Sequence, residues 1–260
     1  MTSLFSVAFL QFRVVLALMI REMHTRYGRE NIGFLWVIGE PIMFCLGVAI
    51  MWTLVRPAHE HGLPVTAIVI TGYVPLTMWR HCIMRGVKAF ESNGALLFHR
   101  QVTPLDIITS RVALEVLGTL MAGLIVSLGA IAVGLMEAPV DIGLVYLGLF
   151  YHAVFSYAST LLVAALSEKS ELVEKSIGII SYLSIPFSGA FTMVDWVPQK
   201  FQWILLLSPS VHNLEMIRGG QFGPGVHPHY SIAFDTWTTG LMLLLGLSMT
   251  LRVRRHIVVQ

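Results

Sequence analysis

Arg29, Gly33, Trp36 and Glu40 are spaced four, three and four residues apart, which aligns them along one side of a helix reaching the kink-prone Pro41. A carboxylate at that depth in an apolar helix faces a bundle interior or a water-filled cavity. Glu40 therefore meets either a substrate or a neighbouring helix. Glu215 and Arg218, three residues apart, are placed to pair in a low-dielectric setting, which reads as a structural clasp more than a substrate contact. His59 and His61, with His227 and His229, could bring four imidazoles together, but no carboxylate or thiolate set completes a metal site, and solvated loop histidines are the plainer reading. His152, alone in an apolar stretch, reads as a hydrogen-bonded helix contact. Tyr73, Trp79, Tyr151, Tyr157, Trp196 and Trp203 could stack against sugar rings or simply mark the membrane interface. Gly28 and Gly33 have the outer spacing of a phosphate-binding loop, yet Phe34 and Leu35 follow where Lys and Ser or Thr are needed. The expectation is a chain with no catalytic, cofactor or metal site and no ATP site of its own.

The elements that must position these residues are membrane helices. The 260 residues are 55% hydrophobic and 12% charged, with a mean hydropathy of +0.73, far from the mix of a soluble domain. The two cysteines, Cys45 and Cys82, lie in or beside apolar runs and read as packing residues. No leader with a small-residue cleavage site is evident. Six stretches are long enough to cross a bilayer: Ile32 to Val55, Pro64 to Ile83, Val116 to Met136, Ile142 to Leu166, Ser176 to Val194 and Ser231 to Leu251. Of the 17 Lys and Arg, all but Arg56, Lys200 and Arg218 then fall on one side, which puts both termini in the cytoplasm. Residues 1–30 are expected as an amphipathic interfacial helix, because Arg13 would be costly at mid-membrane and clusters with Thr2, Ser6 and His24; a signal anchor is the alternative. Residues 31–260 form one six-span domain.

Residues 84–105 join the second and third spans. The reading is a break at Asn93-Gly94, a short helix from Ala95 to Gln101 with Leu96, Leu97 and Phe98 beside His99 and Arg100, and a new helix capped by Thr103, Pro104 and Asp106. Its apolar face suits docking onto a soluble partner. Arg111 and Glu115, four apart, are set to pair, and Gly123 with Ser127 and Ala130 with Gly134 permit close helix contact. Residues 195–230 are too long for a turn and too broken to span, which predicts two re-entrant half-helices, the second starting at Ser208-Pro209 and stopping at Gly219-Gly220.

"REMHTRYGRENIGFLWVIGEP", "NGALLFHRQVTPLDI" and "VPQKFQWILLLSPSVHNLEMIRGGQFG" closely resemble the membrane subunit of type-2 ATP-binding-cassette exporters of capsular polysaccharide, over the whole chain. The resemblance implies a homodimer in the bacterial inner membrane that binds two copies of a cytoplasmic ATPase, with ATP and Mg on that partner. It implies passage of a lipid-linked polysaccharide to periplasmic and outer-membrane export proteins. Under it, Glu91, Leu96, Leu97, His99 and Arg100 contact the ATPase, and Arg21, Arg26, Arg29, Trp36, Glu40, Tyr73 and Trp79 are candidates for the substrate entrance or channel. Trp196, Trp203, Glu215 and Arg218 form a re-entrant gate or clasp. Arg21, Arg26 and Arg29 attract either an acidic glycolipid end or only membrane lipid. No nucleic-acid partner is expected. The competing readings are an exporter of O-antigen or teichoic-acid type polymer, a membrane-embedded glycan or lipid transferase using His152 and Glu40, whose polar groups ought to converge, and a secondary transporter, which ought to show an internal repeat.

Overall fold

The computed structural model describes residues 4–27, 33–55, 59–97 and 101–257, with side chains described at 9–25, 35–36, 38–55, 59–97 and 101–253. Arg29, His99 and Arg100, and the side chain of Arg26, lie outside the described residues. The chain is a helical bundle: α1 (Leu4–Tyr27), α2 (Gly33–Val55), α3 (Val65–Gly86), α4 (Gly94–Leu97), α5 (Pro104–Ala132), α6 (Ile142–Ser167), α7 (Glu171–Leu183), α8 (Gln199–Leu205), α9 (Pro209–Phe222) and α10 (Ile232–Ile257). A two-residue hairpin, β1 (His59–Glu60) with β2 (Leu63–Pro64), joins α2 to α3.

Among the described residues, four helices, α2, α5, α6 and α10, are long and apolar enough to cross a bilayer. Helix α3 has the length, but it carries Arg80, His81 and Arg85 and buries nearly every side chain from Val65 to Met78 against α2, α5 and α6. Facing protein rather than lipid, it can be more polar than its neighbours. Gly123 lets α3 approach α5: a Cβ there would meet Val74 Cγ1 at 2.8 Å. Gly134 serves otherwise than expected, ending α5 at a φ of +76° instead of packing with Ala130.

The segment expected as a fifth span, Ser176 to Val194, is not one helix. Helix α7 stops at Leu183, a 3-10 turn covers Ile185–Phe187, and Gly189 takes a φ of +76°. Broken backbone leaves carbonyls without helical partners, and at membrane depth they must be satisfied from elsewhere in the protein. Arg218, fully buried on α9, donates to the carbonyls of Gly189 at 2.7 Å, Thr192 at 2.8 Å and Ala190 at 2.5 Å. Gly72 on α3 admits this crossing, since a Cβ there would lie 1.8 Å from the Ala190 oxygen. The expected pairing of Arg218 with Glu215 is therefore corrected: each grips backbone instead. Glu215, 1% exposed, accepts the N–H of Val194 at 3.0 Å and of His229 at 2.8 Å. Helix α9 also runs through Gly219 and Gly220, where a stop was expected, because both glycines seat it on α6 and its neighbours, with Gly220 against Asp141 and Val145. It ends at Gly223, whose φ is +52°.

Candidate functional site

Where α3 ends, α5 begins and α6 turns into α7, one short segment is fastened from both sides. Lys88 breaks α3 with a φ of +50°, uncommon for a residue bearing a Cβ. Its N–H donates to Ser167 Oγ at 3.1 Å, and the next free N–H groups, of Phe90 and Glu91, both donate to Glu168 Oε1 at 3.0 Å. A carboxylate over the first N–H groups of the 3-10 turn Glu91–Asn93 satisfies orphan donors and opposes the local dipole. Phe90, fully buried, anchors the turn in a core with Met78, Cys82, Ile108 and Leu161. The Lys88 ammonium lies 2.5 Å from Glu91 and 3.6 Å from Glu174, and its hydrogen bond to Glu91 holds its pKa above the ordinary lysine value.

The other side is held by α1 and α5. Arg111 donates to the Arg85 carbonyl at 2.9 Å and Ser92 Oγ at 3.2 Å, and its Nε lies 3.3 Å from Glu22 on α1. Arg21 donates to Asn93 Oδ1 at 3.1 Å, and the Gln11 amide donates to Asp106. The expected Arg111 to Glu115 pair gives way to longer-range partners, because Glu115 meets Arg85 at 3.0 Å and His81 at 3.5 Å. Helix α1 is thus tied to the loop that precedes α5 and to α5 itself. No break occurs at Asn93-Gly94: the 3-10 turn passes directly into α4, which begins at Gly94 instead of Ala95.

The start of α5 follows its sequence signal. Thr103 Oγ1 accepts the Asp106 N–H at 3.3 Å while Asp106 accepts the Thr103 N–H at 2.8 Å, a reciprocal capping box with Pro104 at the first position. Thr103→Ala is expected to cost about 1 kcal/mol and lower the thermal midpoint in detergent by a few degrees, with Thr103→Ser restoring it.

Of the residues singled out from sequence, Glu91 is exposed and Leu96 and Leu97 are half-buried in the fastened segment. Trp36 is half exposed on α2 and Glu40 is intermediate. Tyr73 is half-buried among apolar side chains of the core, and Trp79 stacks on Phe155 with centroids 6.3 Å apart. Trp203 is exposed, and Trp196 stacks on His61. His152, fully buried, donates through Nε2 to the Pro75 carbonyl at 2.8 Å. Among the described residues no three His, Cys, Asp or Glu side chains stand together as a metal set. Lys88, Glu168, Glu22 and Arg111 were missed as members of this clamp, since nothing in their local spacing announces partners such as Ser167, 79 residues from Lys88, Phe90, 78 from Glu168, or Glu22 on α1 for Arg111.

The model of the ABC-2 type transporter family covers residues 13–222. The chain belongs to this family. Among ABC-2 relatives, it is 37% identical over 240 residues to the capsule polysaccharide export inner-membrane protein BexB of Haemophilus influenzae, covering 92% of this chain and 91% of that one. It is 36% identical over 248 residues to the capsule polysaccharide export inner-membrane protein CtrC of Neisseria meningitidis serogroup B, covering 95% and 94%. Over a shorter stretch of 104 residues, 39% of each chain, it is 33% identical to the polysialic acid transport protein KpsM of Escherichia coli. With four apolar helices of spanning length and relatives named for the inner membrane, this ABC-2 protein is a multi-pass inner-membrane protein.

Proposed function

We propose that the chain is the membrane subunit of an ATP-driven exporter of capsular polysaccharide, working as a homodimer with two copies of a separate cytoplasmic ATPase. The observation that carries this reading is the segment between α3 and α5, described at residues 85–97 and 101–106. It is fixed to α1, α5 and the α6–α7 turn by side-chain bonds while Glu91 stays exposed, as a contact that transmits force from a soluble motor requires. Glu91, Leu96 and Leu97, with His99 and Arg100, meet the ATPase there. In this reading α3 and the α7 segment complete six crossings with both termini cytoplasmic, and α8 and α9 form the re-entrant hairpin of the outer side. Exposed apolar side chains along α2, including Met43, Ile50 and Leu54, face lipid and the second copy. Arg26 and Arg29 meet the acidic end of the lipid-linked substrate at the cytoplasmic surface, while Trp36 and Glu40 continue that path. Periplasmic and outer-membrane export proteins receive the polymer.

The test is co-purification of the chain with the ATPase encoded beside its gene, followed by ATP hydrolysis assays. A stable complex that hydrolyses ATP, together with loss of surface capsule when either gene is removed, is the expected result. Activity of the isolated chain on a lipid-linked sugar, with no ATPase bound, would instead establish a transferase.

A further inference from the structure

At the end of the bundle opposite the clamped segment, three loops line a half-open cavity of about 330 Å³. They are the β1–β2 hairpin, the 3-10 turn Val194–Trp196, and the chain leaving α9 through Gly225 to His227. The volume is at the lower end of small-molecule sites, about 300 to 1,000 Å³, the scale of one sugar unit rather than a polymer. Its chemistry is mixed. Leu63 and Met193 are buried and apolar, His61 and Trp196 stack with centroids 4.6 Å apart and planes 21° from parallel, and Asp195 and His227 are exposed.

That set suits a saccharide. An aromatic surface packs against the C–H face of a pyranose, while a carboxylate accepts and an imidazole both accepts and donates hydrogen bonds with ring hydroxyls. The cavity is also built, not incidental. Both oxygens of the buried Glu215 carboxylate are committed to its walls, one to the N–H of Val194, beside Asp195, and one to the N–H of His229, two residues from His227. His61 sits at the hairpin tip with a φ of +52°, followed by Gly62 at +82°, as a two-residue turn between paired strands requires, and this turn fixes its ring beside Trp196.

We infer that this cavity binds a single sugar unit of the exported polymer on the outer face of the membrane, with Trp196 and His61 as the stacking surface, Asp195 and His227 as hydroxyl partners, and Glu215 as the residue that positions both walls. The inference rests on the export reading proposed above. It is tested with the full chain and its ATPase in lipid nanodiscs, titrated with oligosaccharides prepared by partial hydrolysis of the capsule of the strain that carries the gene, and followed by saturation-transfer NMR. Wild type binds, Trp196→Ala and Asp195→Asn each weaken binding about five-fold or more, as loss of one stacking or polar contact implies, and His59→Ala, outside the cavity, leaves it unchanged. His227→Gln, a conservative surface change, gives an independent reading if Trp196→Ala fails to fold. Equal binding by Asp195→Asn, His227→Gln and wild type, or no binding by wild type up to about 10 mM, the weak end of specific recognition, overturns the site. So does a result in which these variants bind sugar normally but lose a co-purifying periplasmic protein, which makes the cavity a protein contact. ATPase co-purification and capsule export are scored in parallel: if both persist while sugar binding fails, only the cavity is refuted, whereas loss of the ATPase partner refutes the export reading itself.

Discussion

Arg218→Met is expected to prevent recovery of a monodisperse, folded chain from detergent. The guanidinium donates to the carbonyls of Gly189, Ala190 and Thr192 across the broken segment after α7. Methionine fills a similar volume but strands the buried carbonyls of Gly189 and Ala190 and the part-buried one of Thr192. Hydrogen bonds to charged groups are worth about 1.5 to 3 kcal/mol each, so the combined loss is on the order of 5 kcal/mol, a large share of the stability of any domain. Arg218→Lys keeps the charge but replaces a planar fork with a point donor that cannot reach all three oxygens, and is expected to fall between the two. Size-exclusion profiles and thermal midpoints in detergent check the series. A Met variant within about 2 °C of wild type, where each kcal/mol moves a chain of this size by roughly that much, would show that the three carbonyls find other donors.

Glu168→Ala is expected to lower capsule export at least about ten-fold, equivalent to 1.4 kcal/mol, while the assembled complex still hydrolyses ATP. The carboxylate holds the N–H groups of Phe90 and Glu91, two charge-assisted bonds worth more than 1 kcal/mol each. Without them the segment proposed to meet the ATPase keeps Arg21 and Arg111 on its α1 and α5 side, but toward α6 and α7 it is left with the Lys88 N–H bond to Ser167 and the exposed Lys88–Glu174 pair. Under the proposed function, motion of the motor is then expected to be lost in local give before it reaches α6. Glu168→Gln keeps an acceptor oxygen and is expected to retain most of the export. The readouts are surface capsule per cell and ATP hydrolysis by the purified complex. Full export by the Ala variant sinks the role assigned to this clamp, and loss of both export and ATPase binding would reassign Glu168 to the docking surface itself.

Helices α2, α6 and α10 were legible within a few residues because lipid imposes a length and an apolarity that composition alone reveals. The start of α5 was legible because a capping box is a local event completed within four residues, here Thr103 to Asp106. Arg218 and Glu215 were recognised as a clasp, but their partners were assigned to each other from spacing. What the spacing omits is that the backbone at Gly189 to Val194 leaves its helix, and unpaired backbone groups in a low-dielectric interior outcompete a neighbouring side chain for a buried charge. Arg21, read as attracting either an acidic glycolipid end or membrane lipid, also donates to Asn93 across 72 residues of sequence, a partner its spacing does not announce.

By itself, then, the sequence determined that this is a helical membrane protein, where most of its long helices lie, and which family it resembles. Only the tertiary structure decided that the fifth apolar stretch is broken and held by Arg218, that Glu168 and Arg111 clamp the segment beneath α3, and that His61, Asp195, Trp196 and His227 share one cavity. The physical reason is range. Hydropathy and capping act within a helix and are written in consecutive residues, whereas these joints form between groups tens of residues apart, brought together by packing that no local pattern encodes.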